Sequence, residues 1–143
     1  MKKIISFMVL LAMVVGSYAC TGNTSSASNG IAAFIPDKKV EVYYFHFTRR
    51  CTTCLNVENV TKKAVETLYP EKVKNGEITF KSVNLDEKDG EAIGAKYKIE
   101  GQTLIVICGN KRVDLTDKGF LYANDSPDKL KKEIKKAVDG MLK

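Results

Sequence analysis

Residues 45–54 read FHFTRRCTTC, and this stretch decides how the chain is to be folded. The run leading into it, KVEVYYFHF over 39–47, is dense in β-branched and aromatic residues and apolar on both faces. That is the pattern of a central strand covered by helices on each side. Beyond it, Leu55, Val57, Val60, Ala64, Val65 and Leu68 recur at near-helical spacing, with Lys62, Lys63 and Glu66 between them. The spacing predicts a helix over 51–69 that Pro70 stops. Cys51 therefore stands where a helix begins, and Cys54 one turn further in on the same face.

The rest of the chain continues the alternation. GEITFKSVNLDE (76–87) predicts a second strand, and KDGEAIGAKYKI (88–99) a short helix weakened by its two glycines. QTLIVIC (102–108) predicts a third, apolar strand, turned at Gly109 and Asn110 into a hairpin partner, KRVDLT (111–116). KGFLYAN (118–124) reads as a loop. Ser126 then caps a last helix, with Pro127 in its first position and Leu130, Ile134, Ala137, Val138 and Met141 as its apolar stripe. The order is β-α-β-α-β-β-α, an α/β fold with a central mixed sheet flanked by helices. Its first half is a βαβ unit with parallel strands and a right-handed crossover.

The N-terminus has a separate character. Lys2 and Lys3 precede an apolar run from Ile4 to Val15 broken only by Ser6; small residues and Cys20 follow. This layout predicts a bacterial export signal over 1–19, too short to span a bilayer. Two readings of its end compete: cleavage after Ala19, or lipidation of Cys20 as the mature N-terminus. GSYAC is a loose lipobox, and TGNTSSASNG is the small, polar tether expected behind a lipid anchor, so lipidation is preferred. The expected location is the periplasm or cell envelope, with residues 20–38 as tether and 39–143 as one domain, the size that 143 residues allow.

Removing residues 1–19 takes two lysines and lowers the formal charge from +6 to +4. No arginine-rich motif with interleaved aromatics is present, which argues against nucleic acid as a partner. Lys129, Lys131, Lys132, Lys135 and Lys136 read as a solvated helix face rather than a patch for a membrane or an acidic partner.

Export sets the chemistry of the cysteines. An exported chain meets an oxidising compartment, and three cysteines remain beyond Cys20: Cys51, Cys54 and Cys108. An odd number argues against a purely structural disulfide framework. A thiol reacts as its thiolate, which a helix N-terminus and the neighbouring Arg49 and Arg50 favour at Cys51. Cys51 is thus the candidate nucleophile and Cys54 the resolving thiol. A static disulfide or two inert buried thiols is one competing reading. A soft-metal clamp completed by Cys108, with His46 or Cys20, is another, although no second C-x-x-C or H-x-x-x-H occurs. Cys108, near the end of an apolar strand, reads better as a small core residue. The single histidine, His46, reads better as a hydrogen-bonded core residue than as a proton carrier beneath the pair. Tyr44 and Phe45 read as packing.

With C-x-x-C after the first strand of this element order, residues 38–142 resemble the thioredoxin superfamily. More narrowly, VYYFHF-TRRC-TTC resembles small exported bacterial thioredoxin-fold proteins labelled as a nitrophenyl-compound nitroreductase subunit of the ArsF type. No flavin or nitroreductase signature accompanies the likeness, and that activity is not carried over. The resemblance implies a redox-active pair at Cys51 and Cys54, thiol–disulfide exchange with protein or small thiol partners, and no cofactor. Arg50, His46, Gln102 and Thr103 are the residues expected to support the pair. The chain departs from the family at three points. No proline precedes the third strand, where IEGQTLIV places Gln102 and Thr103. Arg50 stands where a tryptophan is common, and Phe45 and His46 fill the place of a buried acid.

Overall fold

In the computed structural model, residues 39–143 are described. The expected export signal and tether, and with them Cys20, fall outside the described residues. The first strand, β1 (Val40–His46), is buried at every position except Glu41. It leads through a loop to helix α1 (Thr52–Leu68), which carries the chain back so that β2 (Ile78–Asn84) lies parallel to β1. Helix α3 (Lys88–Tyr97) follows β2, after a one-turn helix α2 (Pro70–Lys74) that separates α1 from β2. Strand β3 (Thr103–Cys108) runs antiparallel to β1, and β4 (Lys111–Asp114) antiparallel to β3. Gly109, at φ 57°, takes the left-handed conformation between them that a side chain would resist. Helices α4 (Thr116–Tyr122) and α5 (Pro127–Leu142) complete the chain, and the sheet order is β2-β1-β3-β4.

Because side chains alternate along a strand, β1 feeds two cores. Val40, Val42 and Tyr44 point to the face covered by α1 and α5, where they meet Val57, Val65, Leu104, Leu130, Ile134 and Val138. Tyr43 and Phe45 point to the other face, with Val83, Ile105 and Ile107, under Ile93 and Tyr97 of α3. Their rings form one cluster, Tyr43 stacked on Phe45 at 5.5 Å and tilted on Tyr97 at 5.2 Å. Each fully buried aliphatic side chain contributes roughly 2 kcal/mol before entropy is set against it. The both-faces reading of 39–47 therefore holds.

Four readings change. KGFLYAN is not a loop, since its first five residues belong to α4. Asp114 accepts from the Thr116 amide at 2.9 Å, the Thr116 hydroxyl accepts from the Leu104 amide at 3.1 Å, and Phe120 and Tyr122 pack on the main core. These tertiary anchors order a seven-residue helix that is too short to form alone. The hairpin strand consequently ends at Asp114, not 116. Pro70 ends α1 but also occupies the first turn of α2, where its missing N–H costs nothing. Ser126 holds the cap position of α5, yet its side chain makes no capping bond; its carbonyl accepts from Lys129 and Leu130 instead.

The glycines of α3 are not mere weakness. Both are buried, and a methyl group at Gly90 would fall 1.8 Å from the Asn84 carbonyl oxygen. At Gly94 it would fall 2.7 Å from a Leu85 methyl. The helix gives up intrinsic propensity in exchange for close seating against the end of β2.

Candidate functional site at the β1–α1 junction

The loop joining β1 to α1 is held from both sides. On one side, Asp86 accepts from the Thr48 amide at 2.8 Å and Asn84 donates to the Thr48 hydroxyl at 3.0 Å. These amide and hydroxyl donors hold the Asp86 carboxyl below its ordinary pKa. On the other side, Asn124, beyond α4, donates to Thr53 and accepts from Asn56, both at 2.9 Å. The first turn of α1 is thereby tied to a segment about seventy residues away in sequence.

Cys51 is the N-cap residue of α1. Its sulfur accepts from the Cys54 amide at 3.4 Å, the position that a Ser or Asp oxygen usually fills. No acidic side chain stands in the first turn to compete for the positive end of the helix. Cys51 is exposed and Cys54 is buried, and the two are unbridged thiols. The Cys51 thiol is held below its ordinary pKa, first by a hydrogen bond from the Cys54 thiol and then by the Cys54 amide. Burial, and after it the same bond to Cys51, pushes the Cys54 thiol up. The two sulfurs titrate as a pair, and the first negative charge settles on Cys51.

The expected help from arginine is smaller than the sequence suggested. Arg50 is engaged by Glu58 of α1, so much of its charge is neutralised, and Arg49 is exposed. Amide and thiol donors, rather than a bare guanidinium, acidify Cys51.

Gln102 occupies the position before β3 where the family pattern has proline, and it meets the pair directly. The Cys54 thiol donates to Gln102 Oε1 at 3.0 Å. The Cys54 proton thus has two acceptors in reach, Gln102 and the Cys51 sulfur. The amide can also turn its NH₂ to a thiolate, so Gln102 can serve either protonation state. Thr103 does not share this role: its hydroxyl donates to the Gly101 carbonyl at 2.9 Å and closes the bend into β3. His46 is buried, with Nδ1 2.9 Å from the Phe47 carbonyl oxygen. That agrees with its reading as a satisfied core residue. Cys108 is buried and pairs across the sheet with Val40, at the opposite end of β1 from the cysteine pair. It cannot complete a metal site there. Among the described residues no three His, Cys, Asp or Glu side chains converge as metal ligands.

Two participants escaped sequence reading. Asn124 lies in a segment read as loop, and nothing local marks it. Tyr44 reads as packing in the sequence, yet its fully buried hydroxyl has no hydrogen-bond partner among the described residues.

No family model and no curated protein matches the chain. Among solved structures, the thioredoxin of Fasciola hepatica is 23% identical over 73% of this chain and 86% of its own, with a TM-score of 0.45. The germline-specific thioredoxin Deadhead of Drosophila melanogaster is 21% identical over 68% and 80%, with a TM-score of 0.44. A structure described as a malarial protein is 22% identical over 69% and 97%, with a TM-score of 0.45. Within this chain, a parallel β1–β2 pair bridged by α1, an antiparallel β3–β4 hairpin and a closing helix surround one mixed sheet, with C-x-x-C at the first strand-to-helix junction. The fold is thioredoxin-like. The departures at Gln102, Arg50 and Phe45 leave that architecture intact, because none of the three sets an element boundary or the strand order.

Proposed function

We propose that this thioredoxin-fold chain carries out dithiol–disulfide exchange through Cys51 and Cys54, with proteins or small thiols as partners. One observation carries the reading. An exposed, acidified sulfur caps α1 and accepts from the Cys54 amide, while the buried Cys54 sulfur one turn further in keeps its proton. The soft-metal reading loses its third ligand because Cys108 stands at the far end of β1. The nitroreductase-subunit label of the look-alike sequences gains nothing from this site and forms no part of the proposal.

The Cys51 thiolate attacks one sulfur of the partner disulfide; a Cys51–partner bond forms and the partner's other sulfur leaves as thiolate. Cys54 then loses its proton to water and attacks the Cys51 sulfur. The Cys51–Cys54 bond forms, the Cys51–partner bond breaks, and the partner departs reduced by two electrons. An external dithiol restores the pair, and every step runs in reverse when the partner is the dithiol.

The division of labour has a pH signature. Cys51 ionises below, and Cys54 above, the ordinary value of a free thiol. With Cys20→Ser and Cys108→Ala to silence the other thiols, alkylation should follow two steps with pH. Peptide mass mapping should show Cys51 modified in the lower step and Cys54 only in the upper. A single step at the free-thiol value, shared by both cysteines, would defeat the assignment.

A further inference from the structure

Tyr44 projects from β1 toward the face covered by α1, opposite Leu104 of β3 and two residues before the end of its strand. It is wholly buried, and its hydroxyl is one of three buried side-chain oxygens without a hydrogen-bond partner among the described residues. An orphaned buried hydroxyl costs about 1–3 kcal/mol, which calls for a compensating use. The other two belong to Thr61 of α1 and Thr79 of β2; the Tyr44 hydroxyl interacts with Cys54 and Cys51.

The surroundings are few. The groups that act electrostatically on the phenol are Cys54 and Cys51 at the start of α1 and Arg50 in the loop before it, and the His46 ring lies 5.9 Å away on the same strand. From the residue before β3, Gln102 accepts a hydrogen bond from the Cys54 thiol. In the dithiol state the Cys54 proton has Gln102 and Cys51 as acceptors, and the neutral sulfur is itself only a weak acceptor for a donor. When Cys54 becomes a thiolate it becomes an acceptor, and Tyr44 carries a donor with nowhere else to point.

We propose that the Tyr44 hydroxyl donates a hydrogen bond to the Cys54 thiolate as it attacks the mixed disulfide on Cys51. This inference rests on the exchange reading above and assigns one step of it. Tyr44 transfers no proton: the Cys54 proton goes to water, and the phenol keeps its own. Burial, and then the nearby Cys54, push the phenol's pKa up, so the hydroxyl is a lasting donor and not a base. The tyrosine thus answers, with a neutral group, the absence of a buried acid on this strand.

A coloured aromatic disulfide, dithionitrobenzoate, separates the steps in the Cys20→Ser, Cys108→Ala chain. Attack by Cys51 releases one nitrothiobenzoate, and resolution by Cys54 releases the second. Tyr44→Phe keeps the ring in the core and removes only the hydroxyl. The first release should be unchanged and the second should slow about tenfold, the scale of a lost hydrogen bond to a charged group. In a Cys51→Ser background the ultraviolet thiolate titration of Cys54 should move upward in Tyr44→Phe. The dithiol form of Tyr44→Phe should melt no lower than its parent, since no formed bond is lost. An unchanged second release, or both releases slowed alike, would overturn the role. A parent chain that releases only one equivalent would remove the exchange reading and this inference with it.

Discussion

In the Cys20→Ser, Cys108→Ala chain, Cys51→Ser should abolish release of nitrothiobenzoate at neutral pH, while Cys54→Ser should give one release and stop. The asymmetry follows from geometry. Cys51 is the exposed cap of α1 and carries the first negative charge, so without it the remaining sulfur is buried and protonated. A serine at 51 still offers an oxygen to the Cys54 amide, so the helix keeps its cap and the loss can be charged to chemistry. The expected fall in rate exceeds about a thousandfold, as when a covalent nucleophile is removed. Cys54→Ser leaves the attacking thiol but removes the group that resolves the adduct. The mixed disulfide should persist and be visible by mass as a one-to-one adduct at Cys51. Equal residual rates in the two variants would mean that the pair has no division of roles.

Gly90→Ala should lower the stability of the domain by about 3 kcal/mol, at the upper end of what overpacking costs. On helix propensity alone the change would stabilise, because alanine is favoured over glycine by roughly 1 kcal/mol in a helix interior. Two contributions therefore oppose each other, and distance decides. A methyl carbon 1.8 Å from the Asn84 carbonyl oxygen cannot be accommodated by a side-chain rotation, because the obstacle is backbone. Either α3 lifts from β2 or the end of β2 shifts. That end also carries Asn84 and Asp86, which hold Thr48 before the cysteine pair. The substitution should therefore raise alkylation of Cys54 as well as lower the melting temperature, by roughly 15 °C for a domain of this size. Gly90→Ala melting at or above the parent in a thermal scan would show that α3 is not seated as described.

What the sequence could show depended on the range of the interactions. Strand β1 was legible because burial on both faces leaves an uninterrupted apolar run. The helix behind Cys51 was legible because its period is local, and so was the cysteine pair. Helix α4 was not, since Asp114, Leu104 and Thr116 make it, and none of those contacts leaves a periodic trace. Gly90 and Gly94 were seen and misvalued: a glycine weakens a helix considered alone and permits one that must lie against a strand. Arg50 looked like a charge for Cys51 until Glu58, eight residues on, took it up. Gln102 was singled out only as a departure from a pattern. The bond from Cys54 that gives it a role spans 48 residues. Tyr44 carried no sign at all, because a buried aromatic on a central strand is ordinary until its hydroxyl is found unpaired.

The most direct test of the account is an equilibrium titration of the Cys20→Ser, Cys108→Ala chain in buffers of increasing ratio of oxidised to reduced dithiothreitol. Quenched samples are alkylated and weighed. The account predicts one reversible two-electron transition, from a form with both Cys51 and Cys54 alkylated to a form with neither, joined by a Cys51–Cys54 bond. A pair that remains two free thiols, or one fixed disulfide, at every poise of the titration would contradict it.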